Sequence, residues 1–347
     1  MLSAAIEGMF LNSELFDHQR GASNKGYKKI DMGTLVLSTQ NLHLGNANVN
    51  LRFEHGMVSP AYKTYHIHDC SIELIAEWVK SEKAKRFFYD ATTVGASVCR
   101  RNVEWDTLYD QSLYLPSEAE QECLATFLTA LTTRIKKQTE LVEHLKKYKR
   151  GLHKRVFSSK PHWAVKPLRD IATFCGGGTP SKDVSKYWQG NIGWISSSDV
   201  QEDWIDEISI SRRITEEAIA NSATKLCPTG TIAIISRVGV GKVAIMPEDL
   251  CTSQDYTNIT TIDGDITFFA YQIAHKMKIE ASKTQGTAIK GVTADTIKSM
   301  EMDIPNLDEQ RKIAITLQKF DHRIKHEIQL LNLLQKTKRS LLQQLFI

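Results

Sequence analysis

The segment "LPSEAEQECLATFLTALTTRIKKQTELVEHLKKYKRGLHKRVF" (115–157) returns 189 residues later as "IPNLDEQRKIAITLQKFDHRIKHEIQLLNLLQKTKRSLLQQLF" (304–346), without a gap. Fifteen of 43 positions are identical, among them Pro116/Pro305, Gln121/Gln310, Arg134/Arg323, Ile135/Ile324 and Arg150/Arg339. Chance would give roughly two or three, so the chain is built from a duplicated unit. Shorter echoes extend the repeat upstream: "GTLVLS" (33–38) answers "GTIAII" (230–235), and "GASVCR" at Gly95 answers "GTAIKG" at Gly286. The plan is head, helix, head, helix. It divides the chain into a first head (1–114), a first helix (115–158), a second head (159–303) and a second helix (304–347). Only 32 residues precede Gly33, against 67 from Trp163 to Gly230, so the first head reads as shortened at its start.

Within each repeated segment the apolar residues step 4-3-4-3. The first series runs Leu124, Leu128, Leu131, Ile135, Gln138, Val142, Leu145, Lys149, Leu152, Val156. The second runs Ile313, Leu317, Phe320, Ile324, Glu327, Leu331, Leu334, Lys338, Leu341, Leu345. That spacing is a coiled-coil seam, and its polar interruptions fall at matching places, where they set register at a cost in stability. A proline followed by acidic residues (Glu118, Glu120; Asp308, Glu309) suits a helix start. A helix of about 40 residues is about 60 Å long, more than a small head covers. The expectation is that the helices pair with each other, antiparallel if a two-fold relates the repeats, so that Gln138 lies near Glu327. The alternative is two amphipathic helices, each packed on its own head.

Composition limits the partners. A net charge of +4 and a pI near 8.6 permit nucleic acid without requiring it. The cations are concentrated: Arg134 to Arg155 holds nine Lys and Arg against two Glu. No apolar run is long enough to span a bilayer, and the six cysteines form no C-x-x-C pair, so the expectation is a cytoplasmic protein with no membrane partner. No methyl-transfer motif, glycine-rich cofactor loop or H-E-x-x-H sequence is present, and the expectation is a non-catalytic chain with no cofactor and no metal. In "HIHDC" (66–70), His66 and His68 would share one face of a strand, without further ligands.

The second head opens with "VKPLRDIATF" and the loop "GGGTPSK" (176–182), which offers N–H groups, hydroxyls and a lysine to a phosphate or can be an ordinary turn. Gly178, Thr179, Ser181 and Lys182 carry those groups, and the hydroxyl-rich "SSSD" adds Ser197, Ser198 and Asp199. "GTIAIISRVGVGKVAIM" reads as a hairpin with Arg237 and Lys242 beside its turn, which can enter a DNA groove or equally be a solvated turn. The corresponding stretch of the first head, "GTLVLSTQNLHLGNANVNLRF", is amide-rich. Ser38, Gln40, Asn41, His43, Asn46, Asn48 and also Asn50 can bond base edges or can simply be turn formers.

Taken together, the chain resembles the specificity subunits of type I DNA restriction–modification systems. The tandem plan, "L.DI.TF..GGTPS", "YW.G.I.WI...D", "TQGTAIKG" (284–291) and "IP...EQ.KI" carry the resemblance, which is most specific in the second half. It implies a mixed α/β fold with two target-recognition domains separated by two long helices in an antiparallel coiled coil. It also implies that each domain reads half of a bipartite site in double-stranded DNA, and that the helices (Leu124, Leu131, Ile135, Gln138, Leu145, Leu152; Phe320, Ile324, Glu327, Leu334, Leu341) dock methyltransferase subunits, two in number, with a restriction subunit joining. It places "GGTPSK", "SSSD", Arg237, Lys242, Gln254 and Tyr256 at or behind the DNA face, and gives the first head the matching hairpin Ser38–Asn48 followed by "GMVSP" (56–60). The alternative is a half-functional chain that reads with one domain and serves mainly as a methyltransferase scaffold.

Overall fold

The structure is a computed structural model, and it describes residues 1–16, 25–97, 100–158, 160–284 and 291–345. It is mixed α/β and divides into two compact units. The first comprises Met1–Val142 with Glu327–Ile347, and the second Glu143–His326. Each unit thus contains one head and a stretch of both long helices. Those helices span Glu118–Val156 and Leu307–Leu345, 39 residues each and displaced by the repeat offset.

In the second unit, one four-stranded antiparallel sheet has the order Ala172–Gly176, Tyr256–Ile262, Ile232–Ile235, Val243–Ile245. A second sheet has the order Arg212–Ile214, Ile192–Ile195, Leu250–Thr252, Leu226–Cys227, and its central pair is parallel. Strand Ile232–Ile235 is buried along its whole length. It is a run of β-branched residues and alanine covered on both faces, one by helix Ile266–Thr284 through Phe268, Ile273 and Met277, the other by the second sheet. Ala314 and Leu317 of the second long helix and Phe157 after the first join the same core.

The first unit repeats part of this plan. Its sheet Ala47–Val49, Leu35–Ser38, Tyr62–Tyr65 reproduces three of the four strands of the first sheet above. Gly33 and Gly230, just before the shared strand, both hold a positive φ (84° and 81°), which a side chain would strain. No parallel strand pair occurs among the described residues of this unit. A hairpin, Leu2–Ala5 with Gly8–Leu11, packs Leu2, Ala4 and Met9 against Ile30, Val36 and Val58. The counterpart of helix Ile266–Thr284 is broken into Ile72–Trp78 and Glu82–Asp90. Ser71 and Asp265 cap the two versions, and both offer their backbone N–H to the repeat-equivalent glutamines Gln121 and Gln310, at 2.9 and 2.8 Å. Those two bonds fix the alignment between the heads.

The expected seam positions are all buried or half-buried: Leu124, Leu131, Ile135, Leu145 and Leu152 on the first helix, Phe320, Ile324, Leu334 and Leu341 on the second. Gln138 and Glu327 are almost fully buried (2% and 4% exposed), and the Gln138 amide donates to the Glu327 carboxylate at 2.5 Å and to its carbonyl at 3.1 Å. Within the second unit, Tyr148 stacks near Phe320 (5.3 Å between centroids) and Lys149 pairs with Asp321 at 2.7 Å.

Three readings of the sequence need correction. "GMVSP" is not the strand after the Ser38–Asn48 hairpin. His55–Val58 pairs with Lys28–Asp31 because Val58 is drawn into the cluster under the amino-terminal hairpin, and Tyr62–Tyr65 takes the expected place. His66 and His68 lie beyond that strand, exposed, with ring centroids 6.3 Å apart. No group of three or more potential metal ligands exists among the described residues, and no described helix is long and apolar enough to cross a membrane. In the first head, Ser38, Asn46, Asn48 and Asn50 are buried and do not reach a base edge. In "TQGTAIKG" residues 285–290, and in "GASVCR" Val98 and Cys99, lie outside the described residues.

Candidate nucleic-acid interface

In the second head the glycine loop is shaped by packing. A Cβ at Gly177 would stand 2.0 Å from the Ser253 carbonyl oxygen, and one at Gly178 would stand 2.4 Å from the backbone at Ala223–Thr224. The Gly178 N–H is spent on the Thr252 carbonyl at 2.8 Å, and its carbonyl accepts from the Trp194 indole at 2.9 Å. These groups therefore position the loop and are not free to hold a phosphate. The Thr179 hydroxyl donates to the Gln254 side chain, tying two of the expected residues together. Beyond Pro180, Ser181 and Lys182 are exposed at the loop tip.

A second cluster forms around "SSSD". Asp199 is buried, and its carboxylate accepts from the Ser196 N–H (2.7 Å), the Ser196 and Ser211 hydroxyls (2.8 Å each) and Arg212 (3.1 Å). Burial raises its pKa, but these donors outweigh burial and hold the carboxyl below its ordinary value. Tyr256 is also buried; its hydroxyl donates to the Ser196 carbonyl at 2.8 Å, and burial keeps it protonated. Lys242 donates to the carbonyls of Ser197 (3.3 Å) and Val200 (3.0 Å). Asp199, Tyr256 and Lys242 therefore brace the serine turn from behind. Ser198 and Arg237 are exposed, Arg237 at the start of the Val238–Gly241 turn between paired strands.

Sequence reasoning missed Arg212. Its guanidinium lies 4.5 Å from the centroid of the Trp194 ring and also bonds the Ser196 hydroxyl and Asp199. No local motif marks it, because all three partners are at least 13 residues away in the chain.

The amides of the first head behave differently. Asn46 donates to the Ala4 carbonyl (3.2 Å), Asn48 to the Ala5 carbonyl (3.0 Å), and Asn50 to those of Asp31 (3.0 Å) and Phe53 (2.8 Å). All three are buried, as is Ser38, so these residues fasten the amino-terminal hairpin and the adjoining turn and do not face a base edge. Lys80, at the break between the two helices, adds bonds to the Ile6 and Ala47 carbonyls (2.9 Å each) and to the Asn48 side chain. His43 is half-buried, and burial followed by the nearby Arg101 charge lowers its pKa. Gln40 and Asn41 alone of this set are exposed.

The family model for the type I restriction modification DNA specificity domain matches residues 161–336, half of the chain. The chain belongs to this family. A type I specificity subunit, MjaIX of Methanocaldococcus jannaschii, is 34% identical over 191 residues, covering 53% of this chain and 44% of that protein. The EcoR124I/EcoR124II specificity subunit of Escherichia coli is 29% identical over 220 residues, covering 61% of this chain and 53% of its own. The chain thus spans about half the length of the curated relatives it matches. The solved S subunit of the type I restriction–modification system from M. genitalium superposes with a TM-score of 0.60 at 14% identity, covering 94% of this chain and 87% of that one, which shows a shared fold.

Proposed function

We propose that this specificity-domain protein is the non-catalytic, DNA-reading subunit of a cytoplasmic type I restriction–modification complex. Its two heads (1–114 and 159–303) read the two parts of a split target in double-stranded DNA. The two helices (115–158 and 304–347) form an antiparallel coiled coil that spaces the heads and docks two methyltransferase subunits and a restriction subunit. The Gln138–Glu327 bond is the observation that carries this reading. A residue bonded to its own repeat equivalent is what antiparallel pairing about a pseudo-two-fold produces, and parallel pairing at equal register would join Lys149 to Lys338 as well. Lys149 is instead paired with Asp321. In the second head, Ser181, Lys182, Ser198, Arg237 and Gln254 supply the exposed contacts, and Gly178, Thr179, Ser197, Asp199, Lys242 and Tyr256 shape the surface behind them.

A specific observation favours the second reading as well. With Ser38, Asn46 and Asn48 buried, only Gln40 and Asn41 of the first head's candidate readers are exposed, which suits a chain that reads with one domain and scaffolds with the other. Mapping methylated bases in DNA from cells expressing the chain with its methyltransferase separates the two. A two-part asymmetric motif is expected if both heads read, whereas a motif with only one specified part, or a palindrome of it, assigns the reading to the second head. Methylation without sequence preference would overturn both.

A further inference from the structure

The contact between each head and the long helices is made by the same three kinds of group, with two of them exchanged. In the second unit Lys149 of the first long helix pairs with Asp321 of the second at 2.7 Å, and the Tyr271 hydroxyl from the head donates to the same carboxylate at 2.9 Å. In the first unit the repeat-equivalent lysine, Lys338, donates to Thr132 at 2.6 Å and pairs with Glu77 of the head at 2.5 Å, while the Thr132 hydroxyl donates to Glu77 at 2.6 Å. Thr132 is the repeat equivalent of Asp321. Glu77 and Tyr271 each stand six residues after the capping residues Ser71 and Asp265, which the glutamine bonds already align. The carboxylate therefore rides on the helix in one unit and on the head in the other, and the hydroxyl makes the opposite move.

We infer that this exchange is a matching code between each head and the helix that follows it in the chain. The lysine, which comes from the other helix, is common to both sites and accepts either arrangement. The head–helix pair is not interchangeable. Tyr271 placed over Thr132 would leave a half-buried lysine facing two hydroxyls and no carboxylate, and Glu77 placed over Asp321 would crowd two carboxylates around one lysine. The exchangeable part is consequently a head together with its following helix, and the partner it accepts is any second such module with a lysine at the position of Lys149 or Lys338. The inference rests on these contacts and is independent of whether either head reads DNA.

The test is a double-substitution cycle in the full chain, followed by thermal unfolding. T132D brings the second unit's helix residue beneath the first unit's head, and a drop in Tm of roughly 5–10 °C is expected. E77Q alone removes the carboxylate and lowers Tm as well. E77Q/T132D restores one carboxylate and one donor in the exchanged arrangement, and is expected to melt above either single variant, within about 2 °C of the starting chain. A merely space-filling role predicts additive losses. A double variant no more stable than T132D, or a T132D variant that melts like the starting chain, overturns the code.

Discussion

The two heads share a three-stranded sheet, a glycine entry and a glutamine-anchored helix, yet they use their polar residues in opposite directions. In the second, buried Asp199, Tyr256 and Lys242 hold a serine turn outward, and Lys182 and Arg237 project into solvent. In the first, Asn46 and Asn48 are consumed by the hairpin at residues 2–11 and Asn50 by the turn beside it, and no parallel-paired sheet like that of the second head occurs among the described residues. The difference teaches that a hydrogen-bonding side chain at a matching position is not a matching function. What counts is whether the fold around it has already used its donors.

The largest effect expected is loss of assembly. Leu145→Asp with Leu334→Asp places a carboxylate in the half-buried helix contacts of each unit, costing about 3 kcal/mol or more apiece. Gel filtration should show no methyltransferase complex, and retained assembly would mean that the heads alone hold the subunits. The next sharpens the contrast between heads. Lys182→Ala with Arg237→Ala should weaken duplex binding about tenfold at moderate salt and flatten the salt dependence, while Gln40→Ala with Asn41→Ala should stay within about twofold. Equal losses in a gel shift would erase the contrast. The smallest concerns pH. The folded pKa of Asp199 lies below its ordinary value, so its contribution is present in full above the ordinary carboxylate range and is lost as pH falls through the depressed folded value. Asp199→Asn should therefore lower Tm at pH 7, by a few degrees, and the gap should close only as pH falls below the ordinary carboxylate range; a gap independent of pH would show that Asp199 acts through shape alone.

Much of the architecture was legible because its signals are local. The heptad steps and the gapless repeat place both long helices to within about three residues, and "GTIAIISRVGVGKVAIM" declares its hairpin through glycines at the turn. The inward amides were not legible, since Ala4 and Ala5 lie more than 40 residues from Asn46 and Asn48 and only the folded chain brings them together. Arg212 was hidden for the same reason. In the glycine loop the residues were found but their reason was not: a phosphate cradle and a tight backbone packing call for the same glycines, and only the crowded neighbours of Gly177 and Gly178 tell them apart.

That crowding also limits how the loop can change over generations. Any side chain introduced at Gly177 or Gly178 collides with main chain, whereas Ser181, Lys182 and Asp183 at the tip are exposed. If this surface reads DNA as proposed, a change of preference is expected at a few outward positions on an anchored stem, with the support beneath it left as it is.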